Sequence, residues 1–348
     1  MSYIDFSHAF DSINHSILMN KSNALGFSDN ALALIASYLS NRIQYVYHNG
    51  HKSFEYTLES GVPQGSNLGP LLFVIYINDL LEKMSCPVLA YADDIKLYAT
   101  IKNNDIINFQ ANLDNLFNWC SVNNLYLNIN KCCVVIYIRT KTLCVSSYNV
   151  NGDQLRSENS IKDLGVTFDS QFRFNEHIER ICACATRMLG LIIRVSREFS
   201  DLGVIKLLFH AYVLSRLEYA VLIWYPRCNA HVFDVDRILR RFTKFLSYKI
   251  DKVYPAQGCS MDSLLQRHNI QDLAVRRERI CAKFLYNLIH FRIDCSELLN
   301  KIPFNIPRHN NRNNSTFYLP KSKSNVMKYS PLFIMCNAAE DTFNDIFL

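Results

Sequence analysis

Two adjacent acidic residues, Asp93 and Asp94, lie between apolar runs at 87–90 and 95–98. Both runs favour strands, so this pattern predicts a tight β-hairpin whose turn carries the acids. Side chains alternate along a strand, and only a turn directs one of two neighbouring carboxylates into a shared cleft. Two like charges repel, and a bound divalent cation relieves the repulsion. The simpler interpretation is an ordinary polar turn, because Asp is common in turns.

Composition excludes several classes of protein. The chain has 348 residues, 49% hydrophobic and 20% charged, which suits two or three packed domains. Its 12 cysteines form no C-x-x-C pair, which favours reduced thiols over a metal knuckle. We find no signal peptide and no membrane-length apolar run, so we expect an intracellular protein of the nucleus or cytoplasm. The net charge of +6 suggests a polyanionic partner only if the positive charge is clustered.

The hydrophobic pattern changes near residue 170. Before it, short strands alternate with helices, which predicts an α+β fold. The predicted elements are strands at 2–6 and 132–138, a hairpin around Asn49-Gly50, a set of short strands over 145–168 around Asn151-Gly152, and helices at 11–25, 28–39, 70–83 and 104–123. After it, long helices are predicted at about 174–197, 201–219, 231–248 and 270–292. The polar tail after Pro303 is expected to be loosely ordered.

Two further sequence motifs favour a functional role for the acidic hairpin over an ordinary turn. Residues 4–11 read I-D-F-S-H-A-F-D, and residues 60–70 read S-G-V-P-Q-G-S-N-L-G-P before an apolar helix. With Y-A-D-D at 91–94, they resemble, in order and spacing, the three palm motifs of a reverse transcriptase. The likeness is to the jockey-like enzymes of non-LTR (LINE-type) retrotransposons. It implies a right-hand polymerase palm over 1–170, an all-α thumb over 171–250 and a helical C-terminal region over 251–348.

The resemblance also implies a reaction and its partners. An RNA-directed DNA polymerase transfers deoxynucleotides from their triphosphates to a DNA primer on an RNA template. Two Mg²⁺ ions about 3.5–4 Å apart serve such in-line transfer, with Mn²⁺ as a possible substitute. Asp5 and Asp93 are the implied metal ligands, with Asp94 in support; the alternative for Asp5 is an ordinary strand-end acid. Neither a membrane nor a small-molecule redox cofactor is expected.

The resemblance assigns further residues to the incoming nucleotide and the template. Phe10 would lie under the nucleotide sugar and select against a 2′-hydroxyl; the alternative is a core phenylalanine. The loop residues that would meet the template and nucleotide are Gly61, Pro63, Gln64 and Gly65. The alternative is a helix-entry loop stiffened by proline. Asp11 is expected to cap or begin a helix rather than to share the metal site.

Two more segments carry roles from the resemblance. Lys131 ends an L-N-x-x-K segment and would stabilise or protonate the departing pyrophosphate. A solvated lysine at a strand edge is the alternative. Leu164 and Gly165, within K-D-L-G-V, resemble the hairpin that grips the primer, and Gly165 would allow close backbone approach.

An arginine repeat is visible without any family pattern. Arg173, Arg180, Arg187 and Arg194 recur every seven residues, so on a helix they fall close to one stripe. Such a row suits a nucleic-acid phosphate backbone, although a solvated helix face would also explain it. A second basic cluster, 237–244, contains Arg237, Arg240, Arg241 and Lys244.

The first palm motif begins at residue 4, where such polymerases carry a preceding fingers region. We therefore expect an N-terminally truncated fragment of a retroelement polymerase. Two functions stay open: an RNA-directed DNA polymerase that retains its metal site, and a catalytically inactive remnant that only binds nucleic acid. The acids at 5, 93 and 94 favour the first, and the missing fingers region favours the second for the isolated chain.

Overall fold

A computed structural model describes residues 1–100, 105–138, 147–305, 316–319, 321 and 325–346. The chain divides into two compact units. The first comprises Met1–Ile161 and Asp169–Phe172, and the second comprises Lys162–Phe168 and Arg173–Leu348. Strands and helices mix in the first and helices dominate the second, which confirms the predicted α+β class.

The first unit is built from short strands and amphipathic helices. Its helices are α1 (His15–Ala24), α2 (Asp29–Leu39), α3 (Leu68–Lys83) and α4 (Asp105–Val122). Its strands are β1 (Ser2–Ile4), β2 (Phe6–Ser7), β3 (Ile43–Gln44), β4 (Tyr47–His48), β5 (His51–Lys52), β6 (Tyr56–Thr57), β7 (Val88–Tyr91), β8 (Asp94–Leu97), β9 (Tyr126–Leu127), β10 (Cys133–Val135), β11 (Asn149–Val150), β12 (Asp153–Gln154) and β13 (Arg156–Glu158).

The main sheet has the strand order β13-β10-β1-β8-β7. The central strand β1 is antiparallel to both neighbours, β8 and β10. Its Ile4 enters the main core, as do Ile95 of β8 and Val134 of β10. Tyr3 instead enters a smaller cluster with Cys133 and Val135. This alternation follows from the pleat, because successive side chains of a strand point to opposite faces.

Local turn signals are confirmed in the structure. Asn49 and Gly50 join β4 to β5 with φ values of 47° and 82°. Asn151 and Gly152 join β11 to β12 with φ values of 53° and 84°. Both turns use the left-handed region that Asn and Gly tolerate.

Two predicted boundaries were wrong. The helix expected from residue 11 begins at His15, because the Asn14 side chain caps it and accepts a hydrogen bond from Ile17 N at 3.1 Å. The strand expected at 132–138 is the three-residue β10, Cys133–Val135. Lys131 lies before β10 in a turn closed by a 2.9 Å bond from Lys131 N to Asn128 O.

The second unit is helical apart from Lys162–Phe168. This segment contains the turn of a hairpin formed by β14 (Ser160–Asp163) and β15 (Val166–Asp169). Its helices are α5 (Asn175–Val195), α6 (Leu202–Phe209), α7 (Ser215–Glu218), α8 (Val221–Trp224), α9 (Asn229–Asp251), α10 (Met261–His268), α11 (Leu273–Ile289), α12 (Ser296–Leu299), α13 (Asn325–Lys328) and α14 (Pro331–Ile346). The predicted helix 201–219 is interrupted, because a π-helical turn, His210–Leu214, joins α6 to α7.

The expectation of a loosely ordered tail was wrong for its last segment. Helix α14 buries Ile334, Met335 and Ala339 in a cluster shared with Leu285 and Leu288 of α11. Pro331 suits the first position of a helix, where its missing N–H costs nothing. The rest of that prediction falls largely on 306–315, 320, 322–324 and 347–348, outside the described residues.

The described residues also bear on the membrane and cysteine expectations. No helix among them is both long and apolar enough to cross a membrane. The cysteines that the structure describes are all free thiols. Burial raises the pKa of Cys120 to about 12 and that of Cys133 to about 11, so both thiols stay protonated at neutral pH.

Candidate active site

Asp5 follows the central strand of the main sheet directly. In the β1–β8 ladder, Ile4 pairs with Ile95, so the next residues on the two strands are Asp5 and Asp94. In the β1–β10 ladder, Tyr3 pairs with Cys133, and continuing that register brings Asp5 level with Lys131. The sheet register therefore places Asp5 between one motif acid and one motif lysine, although they are far apart in sequence.

The acidic hairpin has the predicted form. Strands β7 and β8 pair from Val88 and Leu97 to Tyr91 and Asp94, leaving Ala92 and Asp93 as the turn. Ala92 adopts a φ of 52°, in the left-handed region that costs a residue with a Cβ about 1–2 kcal/mol. Asp93 is half-buried and Asp94 is exposed. The turn thus separates the two carboxylates, and Asp93 stands at the end of the hairpin rather than within a strand.

Lys131 contacts the Asp5 carboxylate. Lys131 Nζ lies 3.5 Å from Asp5 Oδ1, and its side chain is 66% exposed. The segment carrying the lysine is held to Asp5, since Asn128 N donates to Asp5 O at 2.8 Å and Asp5 N donates to Cys132 Sγ at 3.4 Å. Burial raises the pKa of the Cys132 thiol, which therefore remains a neutral partner. The lysine is fixed at its base and open to solvent at its tip.

The site can be tested for its fit to a divalent cation. Asp5 Oδ1 is buried and, within the described part of the chain, accepts no hydrogen bond. A buried carboxylate oxygen without a donor is costly unless a cation compensates it, and Lys131 approaches only at ion-pair distance. The described residues contain no group of three or more His, Cys, Asp or Glu side chains able to hold a metal. Mg²⁺ commonly uses one or two carboxylates completed by water and substrate phosphates, so this sparse set fits it.

The second motif is tied to the first through backbone bonds. Gly61 N donates to Ile13 O at 2.8 Å, and Val62 N donates to Phe10 O at 2.9 Å. Gly61 has a φ of 80°, and a Cβ there would lie 2.8 Å from both Cα and O of Asp11. Glycine is required at this position by conformation and by space. Phe10 itself is half-buried and stacks on Phe73, with ring centroids 4.6 Å apart.

Asp11 was expected to cap a helix, and that expectation was wrong. Its carboxylate accepts a hydrogen bond from Gln64 Nε2 at 2.9 Å, and its carbonyl accepts one from Ser60 Oγ at 2.9 Å. The pairing holds Gln64 across the loop while leaving both side chains exposed. Pro63 is half-buried beside it, and Gly65 lies exposed with a φ of 78°.

The predicted primer-grip turn lies in the second unit. Leu164 and Gly165 have φ values of 43° and 86°, the same turn conformation as the Asn-Gly turns of the first unit. Tyr219 Oη donates to Leu164 O at 2.8 Å, and Arg180 Nη2 donates to Gly165 O at 2.8 Å. These two bonds hold a turn that its own sequence disfavours, because leucine rarely adopts a positive φ.

A buried histidine completes this support. His177 Nδ1 accepts from Thr167 N at 3.2 Å and lies 3.2 Å from Arg180 Nη2. Since Nδ1 accepts, the ring is neutral and carries its proton on Nε2. The imidazole ring packs beside Trp224, with ring centroids 5.4 Å apart. Burial, together with the Arg180 charge, lowers the pKa of His177 to about 4.

The arginine repeat has a different geometry from the one expected. Helix α5 begins at Asn175, and positive φ values at Phe172 and Phe174 place Arg173 outside it. Arg180 is half-buried and bound to the Gly165 carbonyl, so it supports the turn. Arg187 and Arg194 are exposed on α5, and Arg187 Nη2 lies 3.1 Å from Cys184 Sγ. Arg173 is exposed as well but precedes the helix, so the exposed arginines of the predicted stripe that lie on α5 are this pair.

Two supporting residues escaped the sequence reasoning. The hydrogen bond from Tyr219 to Leu164 joins residues 55 positions apart, and no local sequence pattern predicts it. His177 precedes Arg180 by three residues, so the two share a helix face, and that spacing was a usable signal.

Comparison with known proteins finds relatives of this chain. Residues 1–168 match the family described as reverse transcriptase (RNA-dependent DNA polymerase). The RNA-directed DNA polymerase from mobile element jockey of Drosophila melanogaster is 29% identical over 192 residues, 52% of this chain and 20% of that protein. Its Drosophila funebris counterpart is 31% identical over 188 residues, 51% and 20% of the two chains. The chain thus spans about a fifth of the length of these curated relatives.

A solved structure, a Candida tropicalis telomerase with an RNA fragment, is 12% identical, with a TM-score of 0.37 over 77% of this chain and 48% of that one. A likeness this low adds nothing to the assignment. Residues 1–168, just under half of the chain, match the reverse transcriptase family. Over about half of its length the chain is similar to the RNA-directed DNA polymerases from mobile element jockey.

Proposed function

We propose that this chain is the part of an RNA-directed DNA polymerase that holds the metal site and contacts the primer and template. The observation that carries the proposal is the register of β1, which brings Asp5 level with Asp94 and Lys131. The reaction needs carboxylate ligands and a metal cation at one place. A protein that only binds nucleic acid would not require them there, although a remnant would inherit the same register.

Asp5 and Asp93 would hold the divalent ions, with Asp94 in support. Bound Mg²⁺ would neutralise the triphosphate and lower the pKa of the attacking 3′-hydroxyl. The chain's own part is to present hard oxygen ligands at a fixed place. Asp5 does this with a buried oxygen at the end of the central strand, and Asp93 with a half-buried side chain at the hairpin turn.

Lys131 would serve the leaving group. Its ammonium is exposed at the tip and lies 3.5 Å from Asp5 Oδ1, so it can contact a phosphate oxygen bound at that carboxylate. A positioned cation stabilises the negative charge that develops on departing pyrophosphate and can donate a proton to it.

Phe10 and the second-motif loop would form the nucleotide and template surface. Phe10 is supported from below by Phe73 and is therefore held in one orientation. A fixed ring under a sugar would exclude a 2′-hydroxyl by contact. Gln64 is oriented by Asp11, while Gly61, Pro63 and Gly65 shape the loop around it. In the second unit, the Leu164–Gly165 turn would grip the primer backbone.

The test pairs metal binding with primer extension. We expect Asp5→Asn and Asp93→Asn to weaken Mn²⁺ binding, measured by electron paramagnetic resonance with a deoxynucleoside triphosphate present. In primer extension on an RNA template, each change should cost about 10³-fold, since a catalytic metal contributes several kcal/mol.

Asp114→Asn is the matched control, because Asp114 is an exposed acid on α4 that hydrogen-bonds Gln110. It should leave both measurements unchanged. Unaltered Mn²⁺ binding by the Asp5 and Asp93 variants would contradict the proposed metal site, whatever level of DNA synthesis the chain shows.

A further inference from the structure

Helix α11 presents a cationic face that none of the three motifs accounts for. Arg276, Arg279, Lys283 and Tyr286 are spaced by three, four and three residues, so they lie along one side of the helix. The opposite side buries Cys281, Leu285 and Leu288. The outward side lines a cleft of about 540 Å³ with Arg292 and Asn287 at its far end.

The charge of this cleft is one-sided. Among the described residues, four cationic side chains line it and no acidic one does. Arg276 is neutralised and held by Glu218, through bonds from Nε and from Nη2, the second at 2.9 Å. Arg292 lies over the Tyr286 ring, 5.2 Å from its centroid.

The remaining two cations are uncompensated. Within the described residues, Arg279 and Lys283 are exposed and make no ion pair or hydrogen bond. The acid next in sequence, Glu278, does not line the cleft. Its charge instead contributes to raising the pKa of Cys281 and of Tyr225. The cleft therefore combines two fixed cations on its walls with two that are available to a ligand.

The size and spacing of the cleft indicate the ligand. A volume of about 540 Å³ exceeds what one phosphate group fills. Four residues of helix separate Arg279 from Lys283, a rise of about 6 Å, so the two cations meet separate anionic groups. Guanidinium groups bind phosphate oxygens in pairs, and lysine supplies a mobile point charge. A ligand with phosphates in series satisfies this arrangement.

We propose that the α11 cleft binds the sugar–phosphate backbone of a single nucleic-acid strand, as a contact distinct from the α5 arginines and the Leu164–Gly165 turn. The inference rests on the proposed function in one respect: the polyanion available to a reverse transcriptase domain is nucleic acid. Backbone contact positions a strand without reading its bases, so binding at the cleft is independent of sequence.

The experiment measures binding of the full chain to labelled single-stranded RNA between about 50 and 300 mM salt. Over this range the affinity falls with salt in proportion to the number of phosphate contacts. The variant is Arg279→Gln with Lys283→Gln. Each lost phosphate contact changes the slope of log affinity against log salt by about 0.7 on a single strand, so the slope should flatten by up to roughly 1.4. At 0.1 M salt that corresponds to binding weakened by roughly 25-fold.

Two controls separate local from general effects. Lys52→Gln with Lys83→Gln removes two exposed charges that already pair with Glu55 and Asp79, and should leave the slope unchanged. Arg279→Lys with Lys283→Arg keeps both charges and should restore parental binding, which excludes misfolding as the cause. An unchanged slope in the Gln variant would overturn the proposal.

The assay contains no divalent metal and no nucleotide, so it does not depend on the metal site or on polymerisation. Failure of the Asp5 test with success here would leave the cleft assigned and the polymerase function rejected. Two further arms test the ligand. Tripolyphosphate should displace RNA more readily from the parent than from the Gln variant, because it competes for the same two cations; equal displacement would place the RNA elsewhere and overturn the proposal. If the Gln variant loses binding to phosphatidylserine vesicles but keeps its RNA binding, the proposal is also overturned.

Discussion

Gly61 and Gly65 have nearly the same backbone conformation in very different surroundings. Their φ values are 80° and 78°, but a Cβ at Gly61 would meet the Asp11 backbone at 2.8 Å, and one at Gly65 would meet nothing within 4 Å. A side chain at either position would strain the backbone, but only one at Gly61 would also clash with neighbouring atoms. Only at Gly61 do both oppose a side chain, at the junction of the first two motifs.

We expect Gly61→Ala to lower the free energy of unfolding by roughly 2–5 kcal/mol, from left-handed strain plus overpacking. Gly65→Ala should cost only about 1–2 kcal/mol, since strain acts alone. Urea denaturation followed by circular dichroism measures both. Equal losses in the two variants would show that the contact with Asp11 is relieved by a backbone shift.

At the scale of elements, the Leu164–Gly165 turn depends on groups from helices. Tyr219, Arg180 and His177 hold it from α5 and from the residue after α7. His177 is buried and neutral, with a pKa of about 4 against an ordinary value of 6.5. The unfolded chain therefore binds one more proton than the folded chain between these two pH values.

This difference predicts a pH dependence. The stability that neutral His177 contributes is complete above pH 6.5 and is lost as pH falls towards about 4, up to roughly 3 kcal/mol at 1.36 kcal/mol per pH unit. In His177→Gln, an amide oxygen can still accept from Thr167 N, and stability should fall less over the same range. Urea midpoints at pH 7, 6, 5 and about 4 give the comparison. Parallel pH profiles for parent and variant would contradict the assignment.

The elements show which kinds of information the sequence carries. The acidic hairpin and both Asn-Gly turns were predictable, because turn conformation depends on adjacent residues. The start of α1 was misplaced because the Asn14 cap overrides the apolar pattern before it. Helix α14 was missed because its buried face is visible only beside α11.

The candidate site divides in the same way. The residue types at Asp5, Asp93 and Lys131 were predicted from motifs. β-Sheet register explains why Asp5 lies level with Asp94 and Lys131, and the hairpin turn explains the position of Asp93. The Asp11–Gln64 pair and the Tyr219 bond were not predictable, because each joins residues over 50 positions apart. Such contacts depend on how elements pack, and hydrophobic periodicity does not encode them.

At the scale of the whole molecule, a net charge of +6 is small, and its distribution decides binding. Arg187 and Arg194 remain exposed on α5 after Arg180 is used by the turn. Arg187→Gln with Arg194→Gln should flatten the salt slope for duplex DNA by up to roughly 1.8, at 0.9 per phosphate, and equally for unrelated sequences. Fluorescence anisotropy across a salt series measures the slope. A slope equal to that of the parent would make the pair a solvated helix face.

The π-helical turn at His210–Leu214 has a consequence for how this gene can change. It holds one residue more than an α-helical turn would, immediately before Glu218 and Tyr219. Because the wider turn takes up its extra residue locally, loss of a single codon within it would leave a continuous α-helix and keep the downstream residues close to their present orientation. Loss of a codon in the regular helix that follows, at 215–217, would instead rotate Glu218 and Tyr219 by about 100° around the helix axis, away from Arg276 and Leu164. Single-residue deletions should therefore be tolerated within the π-helical turn and not after it.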